Sequence, residues 1–472
     1  MGGRLLFSRR YQDLCPFLAS NLLLWSPFRG YCPDPFVVRN CDLRGGDQQL
    51  FCAMSTSRNN NCDAIPSTIP ISLRGVFVGS GSDGMSDPRI TKIILDLVRS
   101  SRGDNNQCNS ANDTGQTNIE SSISTTTTIS PVIVYIGTAT YDLPQFAERQ
   151  TRCFVDSGCQ VEVLNLAHSV NCDDSIQEIQ QYARDVLSRA DVVVIGGGNT
   201  LYAIDRWKKL GVDLALRDAM NRGVVLTGGS AGAICWFDGG HSDSCDPGSF
   251  YEAMMTKFGG TSNSKRSPAN TAGGKSDKIA SPPPPDESAI GGDEEDDGSG
   301  TTKNNKKDWK YIRVSGLGFI PGLCCPHHDR IQSNGVLRAD DFDQMLLSKH
   351  SGEVGIAIDH WAALVVNGHD NSYRVVSLEG KKGSVVYGKT KCEEKTNDNG
   401  NINQSIATFS RDAAGVPGVW IKEVVDDETA GRKVAKRLLQ PTGRLSDFIR
   451  EASFIVEDED SIQECRRINP DC

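Results

Sequence analysis

The chain has 472 residues, of which 38% are hydrophobic, and it carries a formal net charge of −10. This length allows one large domain or two ordinary ones. The net negative charge and the absence of a long Lys/Arg face argue against nucleic acid as the main partner. The 16 cysteines show no paired metal-ligand spacing. A secreted disulfide scaffold would be shorter and denser in cysteine, so we predict reduced thiols in a cytoplasmic protein. No apolar run approaches the roughly 20 residues that a membrane span requires.

Three stretches lack the pattern of a packed domain. Residues 1–68 show no sustained period, and both an organelle-targeting segment and a plain N-terminal extension remain open for them. Two polar stretches, the second containing SPPPPDES and DEEDDGSG, have too few aliphatic residues to form a core. We therefore predict one α/β domain over 69–440, with disordered insertions at 103–129 and 256–308, and a tail at 441–472 with one helix.

Apolar runs alternate with amphipathic runs along the predicted domain. The predicted strands are ISLRGVFVGSG, PVIVYIGTA, CQVEVLNL, DVVVIGGG and VVLTGG, and the helical runs between them include ITKIILDLVRS, SIQEIQQYARDVLSRA and TLYAIDRWKKLG. This alternation indicates a doubly wound α/β fold, a mostly parallel sheet with helices on both faces. Further along, GEVGIAIDHWAALVVNG and YRVVSLEG predict a closing β-hairpin or an edge pair of strands, and LSDFIREASFIV predicts the helix of the tail.

The first glycine-rich segment, VGSGSDG, matches the G-x-G-x-x-G pattern at Gly79, Gly81 and Gly84. A dinucleotide site would also need an acidic residue at the end of the next strand to bind the ribose. The sequence has none there, so we interpret the segment as a plain turn.

The second glycine-rich segment, GGGNT, follows a predicted strand directly. A glycine run at a strand end lets backbone N–H groups approach a substrate closely. The carboxyl edge of a parallel sheet is also where ligands bind. We predict that the Gly198 amide donates to an oxyanion and that Asn199 contacts the substrate.

The third segment, GGSAG, is a G-x-S-x-G sequence centred on Ser230, between a predicted strand and a helical run. A sharp strand-to-helix turn strains the central residue and projects its hydroxyl above the sheet. Ser230 is therefore a candidate nucleophile, and the Ala231 amide is a second oxyanion donor. A glycine-rich turn with an idle serine is the alternative.

A serine nucleophile needs a base, and the sequence has only seven histidines. His327 and His328 follow the predicted strand GLGFIPGL, and one of the two is expected to be a bystander. The acid that would orient the base is sought in FDGGHSDSCDP, which contains Asp238, Asp243 and Asp246. The residue types and their spacing do not decide which of these three aspartates orients the histidine.

Together, IGGGNTLYAI, GGSAGAICW, the HSDS stretch, PGLCCPHHD and IAIDHWAALVV resemble the dipeptidase E (aspartyl dipeptidase) family of serine peptidases, relatives of cyanophycinase. The resemblance covers roughly residues 70–390 and implies a fold similar to class I glutamine amidotransferases. It implies Ser230 as the nucleophile, His327 as the base and Asp243 as the acid, with Asp246 open because the spacing is slightly short.

The same resemblance implies substrates with an N-terminal aspartate, whose carboxylate would pair with an arginine. Arg338, in RADDFDQML, takes this role, and Arg330 is the fallback. A guanidinium suits the role because it offers a fixed fork to a carboxylate. A solvated Arg338 that balances the acidic residues beside it is the alternative.

We therefore predict a serine peptidase that hydrolyses short peptides, in particular dipeptides with N-terminal aspartate, through an acyl-enzyme. A cyanophycinase-like β-aspartyl peptidase and a non-catalytic member that binds a ligand remain alternatives. An α/β-hydrolase esterase fits poorly, since its acid and base normally come late in the chain. The chemistry needs no metal and no organic cofactor. The expected partner is a small peptide, with no nucleic acid or membrane. The sequence does not decide between a monomer and a dimer.

Overall fold

The computed structural model describes residues 70–102, 130–167, 175–258, 308–387, 407–410, 415–429 and 431–469. The predicted N-terminal extension and the first predicted insertion lie outside the described residues. Most of the second predicted insertion does so as well, but its first three residues belong to a helix that ends at Phe258.

Strands and helices alternate through the first half of the described chain. The strands are β1 (Arg74–Val78), β2 (Val132–Ile136), β3 (Gln160–Leu164), β4 (Val192–Ile195), β5 (Val225–Gly229), β6 (Phe237–Ser242), β7 (Ile312–Ser315), β8 (Ile320–Cys325), β9 (Gly355–Ile358), β10 (Ala362–Asn367), β11 (Ser372–Ser377), β12 (Val385–Tyr387), β13 (Ala407–Phe409), β14 (Val419–Asp427), β15 (Gly431–Leu438) and β16 (Thr442–Arg444). The helices are α1 (Ser82–Met85), α2 (Pro88–Arg102), α3 (Pro144–Asp156), α4 (Ile176–Ser188), α5 (Thr200–Leu210), α6 (Val212–Asn221), α7 (Ala231–Ile234), α8 (Tyr251–Phe258), α9 (Arg338–Ser348) and α10 (Glu459–Ile468).

The first sheet has the strand order β16-β11-β10-β1-β5-β4-β2-β3. Its five strands from β1 to β3 pair in parallel, while β10, β11 and β16 extend one edge in antiparallel pairs. The non-consecutive order means that helical crossovers connect the parallel strands. The predicted mostly parallel sheet is confirmed, and so is the hairpin of β10 and β11.

Both faces of this sheet are covered, as the alternation of side chains on its strands requires. Val194 of β4 packs in a core cluster with Ile94 of α2 and Phe154 of α3. The next side chain toward the N-terminus, Val193, points to the opposite face and packs in a separate cluster with Trp207 of α5. Complete burial of a side chain of this size stabilises a fold by about 1.5–3 kcal/mol. The doubly wound α/β arrangement is therefore built from two cores that share one sheet.

A second sheet, with the order β15-β14-β9-β8-β6-β7, was not predicted. The run GEVGIAIDHWAALVVNG, predicted as one strand, is divided at residues 359–361 into β9 in this second sheet and β10 in the first. Strands β8 and β9 are parallel neighbours, with Cys325 opposite Ala357. Their carboxyl ends therefore lie side by side.

The helix of the tail also differs from its prediction. LSDFIREASFIV forms only a 3-10 turn at Leu445–Asp447, and the α-helix is α10. Leu445, Phe448 and Ile449 are all buried, so the helical spacing of these apolar residues reflects burial without a helix. Among the described residues, no helix is long and apolar enough to cross a membrane.

Candidate active site

Ser230 lies at the carboxyl end of β5, between the ends of β1 and β4. The strand register places Val78 opposite Gly229 and Ile195 opposite Gly228. The loops that leave β1 and β4 therefore flank Ser230 on both sides. This is the sheet edge at which α/β proteins bind their ligands.

The backbone of Ser230 has φ 54° and ψ −120°, a conformation that glycine favours. Such strain costs of order 1–3 kcal/mol and persists only where the surroundings enforce it. Here the Ser230 amide donates to the carbonyl of Val78 at 3.2 Å. A side chain at Gly232 would meet the Ile195 carbonyl oxygen at 2.1 Å, so α7 can turn away only with glycine at this position. The strained strand-to-helix turn predicted from GGSAG is present.

Two glycine loops lie directly against Ser230. A β-carbon on Gly197 would lie 3.4 Å from the Ser230 β-carbon, and one on Gly81 would lie 3.7 Å from it. The segment interpreted as a plain turn, around Gly81, is therefore a wall of the site. The G-x-G pattern could have indicated that this segment belongs to the site. Its glycine lets the backbone lie close to Ser230 and does not indicate a cofactor site.

The Gly198 and Ala231 amides belong to the two segments that meet at Ser230. Gly198 has φ 128°, and a side chain there would collide with the Ala139 carbonyl oxygen at 2.2 Å, so only glycine fits. Ala231 opens α7, and the first amides of a helix have no partner within it. An oxyanion hole formed by these two amides stays a prediction.

Asn199 is fully buried and caps α5. Its Oδ1 accepts from the Tyr202 amide at 3.1 Å, and its Nδ2 donates to the Ser244 carbonyl and to Ser249 Oγ, both at 3.3 Å. The side chain thus ties the GGGNT loop to the loop that follows β6. Its described contacts are those of a structural residue, and the predicted contact with substrate would require access that the buried side chain does not have.

His327 is held next to Ser230 through the backbone of β1. Its amide donates to the carbonyl of Gly79 at 3.1 Å, one residue after the carbonyl that holds the Ser230 amide. Consecutive α-carbons are 3.8 Å apart, so the two residues are fixed to neighbouring points of one strand end. His327 has φ 50° and is half-buried. The structure therefore brings the backbones of the predicted nucleophile and the predicted base together at one sheet edge, and among the described residues no hydrogen bond joins their two side chains.

The ring of His327 contacts a second histidine that the sequence analysis did not select. Nδ1 of His327 and Nδ1 of His360 are 2.8 Å apart. Each histidine comes two residues after its strand, His327 after β8 and His360 after β9. The parallel pairing of these strands explains the contact. The sequence feature that could have indicated His360 is the Asp-His pair directly after the apolar run GIAI.

His328 is the bystander of the doublet. It is fully buried, and its Nδ1 lies 3.0 Å from Oδ1 of Asp359. The Asp359 carboxylate also accepts from Ser384 and from the Gly418 amide. The His328 ring packs 5.1 Å from the ring of Phe409. This His–Asp pair has the composition of a catalytic dyad, but its complete burial keeps it from a substrate.

The predicted acid, Asp243, pairs with Arg338. Arg338 Nη1 donates to Asp243 Oδ2 at 3.1 Å. Arg338 itself is fully buried, and its other nitrogens donate to Nδ1 and to the carbonyl of His241. Asp246 accepts from the Gly248 amide. Within the described chain no hydrogen bond joins Asp243 to His327.

Arg330 is the cation beside the histidines that has no carboxylate partner among the described residues. Its Nε is buried and makes no hydrogen bond, and the residue is only partly exposed. Its amide donates to the His327 carbonyl at 2.9 Å, which fixes Arg330 one turn after the predicted base. The two candidate arginines therefore differ, since Arg338 is already paired and the substrate role of either residue stays a prediction.

Burial controls the protonation of the site. It lowers the pKa of His327 to about 3, with a further contribution from the positive charges of Arg338 and Arg330. Burial also lowers the pKa of His360 to about 2. The pKa of the Asp329 carboxyl is raised to about 7 by burial and by the nearby Asp359. Both imidazoles are thus neutral at physiological pH, as a general base must be.

The pH dependence of serine reactivity follows from the low pKa of His327. We expect the rate of Ser230 labelling by a fluorophosphonate to stay level from about pH 8 down to about pH 5, because the ring stays neutral until the pH approaches its pKa. The Asp329→Asn variant removes the carboxyl with the raised pKa and serves as the control. A fall centred near pH 6.5 in both proteins would show an ordinary, solvated imidazole and contradict the assignment.

Among the residues that the structure describes, no group of His, Cys, Asp or Glu side chains is suited to hold a metal ion. The side chains gathered at this sheet edge instead provide a hydroxyl, two imidazoles and a guanidinium. These groups can perform nucleophilic attack, proton transfer and anion binding.

Comparison with known proteins gives a family and two relatives. Peptidase family S51 matches residues 108–259, a range that contains Ser230 and Asp243. The uncharacterized peptidase YgaJ of Bacillus subtilis (strain 168) is 35% identical over 117 residues, which are 25% of this chain and 47% of that protein. A Trypanosoma brucei brucei protein named G2/mitotic-specific cyclin-1 is 25% identical over 316 residues, 66% of this chain and 77% of its own.

These two relatives carry names from different protein classes, and the family match agrees with the peptidase. The solved structure of a peptidase from an acI-B1 actinobacterium overlaps 64% of this chain and 87% of its own, with 13% identity and a TM-score of 0.37. The predicted relationship to the dipeptidase E peptidases is confirmed by the family match and by YgaJ. Over residues 108–259, which contain Ser230, this chain is similar to the serine-type peptidases of family S51.

Proposed function

We propose that this peptidase hydrolyses dipeptides with an N-terminal aspartate through an acyl-enzyme on Ser230. The observation that carries the proposal is the attachment of Ser230 and His327 to consecutive carbonyls at the end of β1, at 3.2 and 3.1 Å. A strained serine beside a neutral imidazole is the arrangement that serine acyl transfer requires.

The proposed reaction has two steps. In the first, His327 Nε2 takes the Ser230 proton, Oγ attacks the peptide carbonyl, and the Gly198 and Ala231 amides bind the oxyanion. The imidazolium then protonates the leaving amine, and the acyl-enzyme remains. In the second step, His327 removes a proton from water, which attacks the ester carbonyl. The His327 imidazolium then gives this proton to Oγ as the ester bond breaks, which releases aspartate and restores the hydroxyl of Ser230.

Arg330 is the proposed partner of the substrate's side-chain carboxylate. Its buried Nε has no hydrogen bond, and a buried donor without a partner costs about 1–3 kcal/mol, so an incoming carboxylate would restore a lost interaction. Arg338 is less suited, because a substrate would have to displace Asp243 from it. The specificity for aspartate is thus assigned to the fallback residue of the sequence analysis.

The test is hydrolysis of Asp-p-nitroanilide, Leu-p-nitroanilide and β-Asp-Arg by the full chain. We expect kcat/KM to be highest for Asp-p-nitroanilide. A protein that prefers β-Asp-Arg would support the cyanophycinase-like alternative in its place. A protein that cleaves Leu-p-nitroanilide equally well would contradict the proposed specificity.

Arg330→Ala is expected to lower kcat/KM for Asp-p-nitroanilide by about 30- to 1,000-fold, because it removes the charged partner of a desolvated carboxylate. The kcat/KM of Arg330→Lys for Asp-p-nitroanilide should lie between those of wild type and Arg330→Ala, since an ammonium keeps the positive charge but cannot bind the carboxylate in the bidentate way of a guanidinium. The exposed Arg432 on β15 supplies the matched control, and Arg432→Ala should behave as wild type. An equal loss on Asp- and Leu-p-nitroanilide would remove Arg330 from the specificity pocket.

A further inference from the structure

We propose that His360 is the positioning residue of His327, so that a second imidazole, and not a carboxylate, orients the catalytic base. This inference rests on the proposed roles of Ser230 and His327. The observation that carries it is the 2.8 Å separation of the two Nδ1 atoms. In a serine triad, the orienting group binds Nδ1 of the base and leaves Nε2 to the serine.

The contact selects a tautomer for each ring. One Nδ1 must donate and the other must accept, because both rings are neutral and a neutral imidazole has one donor and one acceptor. A base that works through Nε2 carries its own proton on Nδ1. His327 therefore donates to His360, whose proton lies on Nε2. When Ser230 transfers its proton to His327 Nε2, the new imidazolium keeps its Nδ1–H on the His360 nitrogen.

His360 is itself held firmly in place. Its amide donates to Oδ1 of Asp329 at 2.7 Å, and its ring packs 4.6 Å from the ring of Trp361. The side chain is 5% exposed. A rigid partner of this kind limits the rotation of His327, which the orienting member of a triad must do.

The nearby carboxylates have other partners. Asp243 binds Arg338 at 3.1 Å, Asp359 binds His328 at 3.0 Å, and Asp329 accepts from the His360 amide. In the described part of the chain, no carboxylate accepts a hydrogen bond from the His327 ring. His360 therefore occupies the place that an acid takes in a Ser–His–Asp triad.

The charges around the pair are mostly positive. Arg338 and Arg330 face His327, and Arg330 and Lys381 face His360, while Asp329 has a pKa raised to about 7. A cationic surrounding disfavours the imidazolium of His327. An added carboxylate at position 360 would oppose this effect and raise the pKa of His327.

The test uses three variants of His360 and the rate at which a fluorophosphonate labels Ser230, which requires no knowledge of the peptide substrate. Oδ1 of aspartate stands as many bonds from the α-carbon as Nδ1 of histidine, so aspartate keeps an acceptor in place, and leucine does not. We expect His360→Leu to slow labelling by about 100- to 10,000-fold. His360→Asp, whose carboxylate can only accept from Nδ1, should stay within about tenfold of wild type, whereas His360→Asn, whose amide can donate to Nδ1 and hold the wrong tautomer, should be slowed about as much as the leucine variant.

The pH profile separates positioning from a merely structural role. His360→Asp should move the acid limb of labelling to higher pH than in wild type, because its charge stabilises the imidazolium of His327. If His360 only filled space, aspartate at this position would not both keep the labelling rate near wild type and move the acid limb of the pH profile. His369→Leu, at an exposed histidine, is the matched control and should label as wild type does.

Several results would overturn the inference. The first is a labelling rate for His360→Leu within about threefold of wild type. The second is a labelling rate for His360→Asp as low as that of His360→Leu. The third is a labelling rate for Asp243→Asn as low as that of His360→Leu. A wild-type protein that is labelled but inactive on aspartyl peptides would contradict only the proposed substrate. A wild-type protein that resists labelling would overturn the substrate proposal and the positioning role together.

Discussion

Ser230→Ala is expected to lower kcat for peptide hydrolysis by about 10,000-fold or more, to the level supplied by the oxyanion amides and substrate binding alone. The change removes Oγ and keeps the β-carbon, so the strained backbone at φ 54° is unaffected. The fold should therefore survive. The measurements are kcat on the best substrate of the panel, covalent labelling by a fluorophosphonate, and the melting temperature.

The control for this variant is Ser100→Ala, at an exposed serine of α2. It should retain wild-type hydrolysis and labelling. If the Ser230→Ala protein still hydrolysed peptides at more than about a hundredth of the wild-type rate, the hydroxyl would not be the nucleophile. A large drop in melting temperature for Ser230→Ala would instead show that the hydroxyl supports the fold.

Arg338→Met is expected to lower the free energy of unfolding by about 3–5 kcal/mol, the usual cost of removing one partner of a buried ion pair. The guanidinium is fully buried, donates to Asp243 at 3.1 Å and to Nδ1 of His241 at 3.2 Å, and lies 5.0 Å from the ring centre of Tyr311. Methionine fills part of the volume but leaves these acceptors without a donor. The measurement is urea unfolding, compared with Arg432→Met at an exposed arginine.

This prediction separates two roles for Arg338. If it were the substrate arginine, Arg338→Met would raise KM for Asp-p-nitroanilide and leave the unfolding free energy nearly unchanged. If it is a structural cation, the stability falls and the surviving folded protein keeps its preference for aspartate. Unchanged stability with a selective loss on the aspartyl substrate would return the specificity role from Arg330 to Arg338.

The position of Ser230 was predictable because its determinants are local. A strained turn needs small neighbours in the adjacent positions, and an apolar strand before it places the turn at a sheet edge. The GGGNT loop was predictable for the same reason, and so was the histidine doublet after a buried strand, while the choice of His327 over His328 came from the family resemblance. Each of these residues is determined by a few neighbours along the chain.

The second sheet and the partners within the site were not predictable in this way. Asp243 was chosen from the family resemblance, with Asp246 left open, but α9 brings Arg338 to it from 95 residues later. The tail was also predicted wrongly from its local pattern. Leu445, Phe448 and Ile449 have helical spacing and are buried, but they do not lie on an α-helix.

The sequence by itself determined the parallel sheet, the bend at Ser230 and the histidine doublet, since each depends on residue types within a short segment. Only the tertiary structure decided that His360 contacts His327, that His328 is enclosed, and that Arg338 pairs with Asp243 while Arg330 has no carboxylate partner among the described residues. These outcomes depend on which strands pair side by side and which side chains become buried, and such long-range contacts leave no local pattern in the sequence.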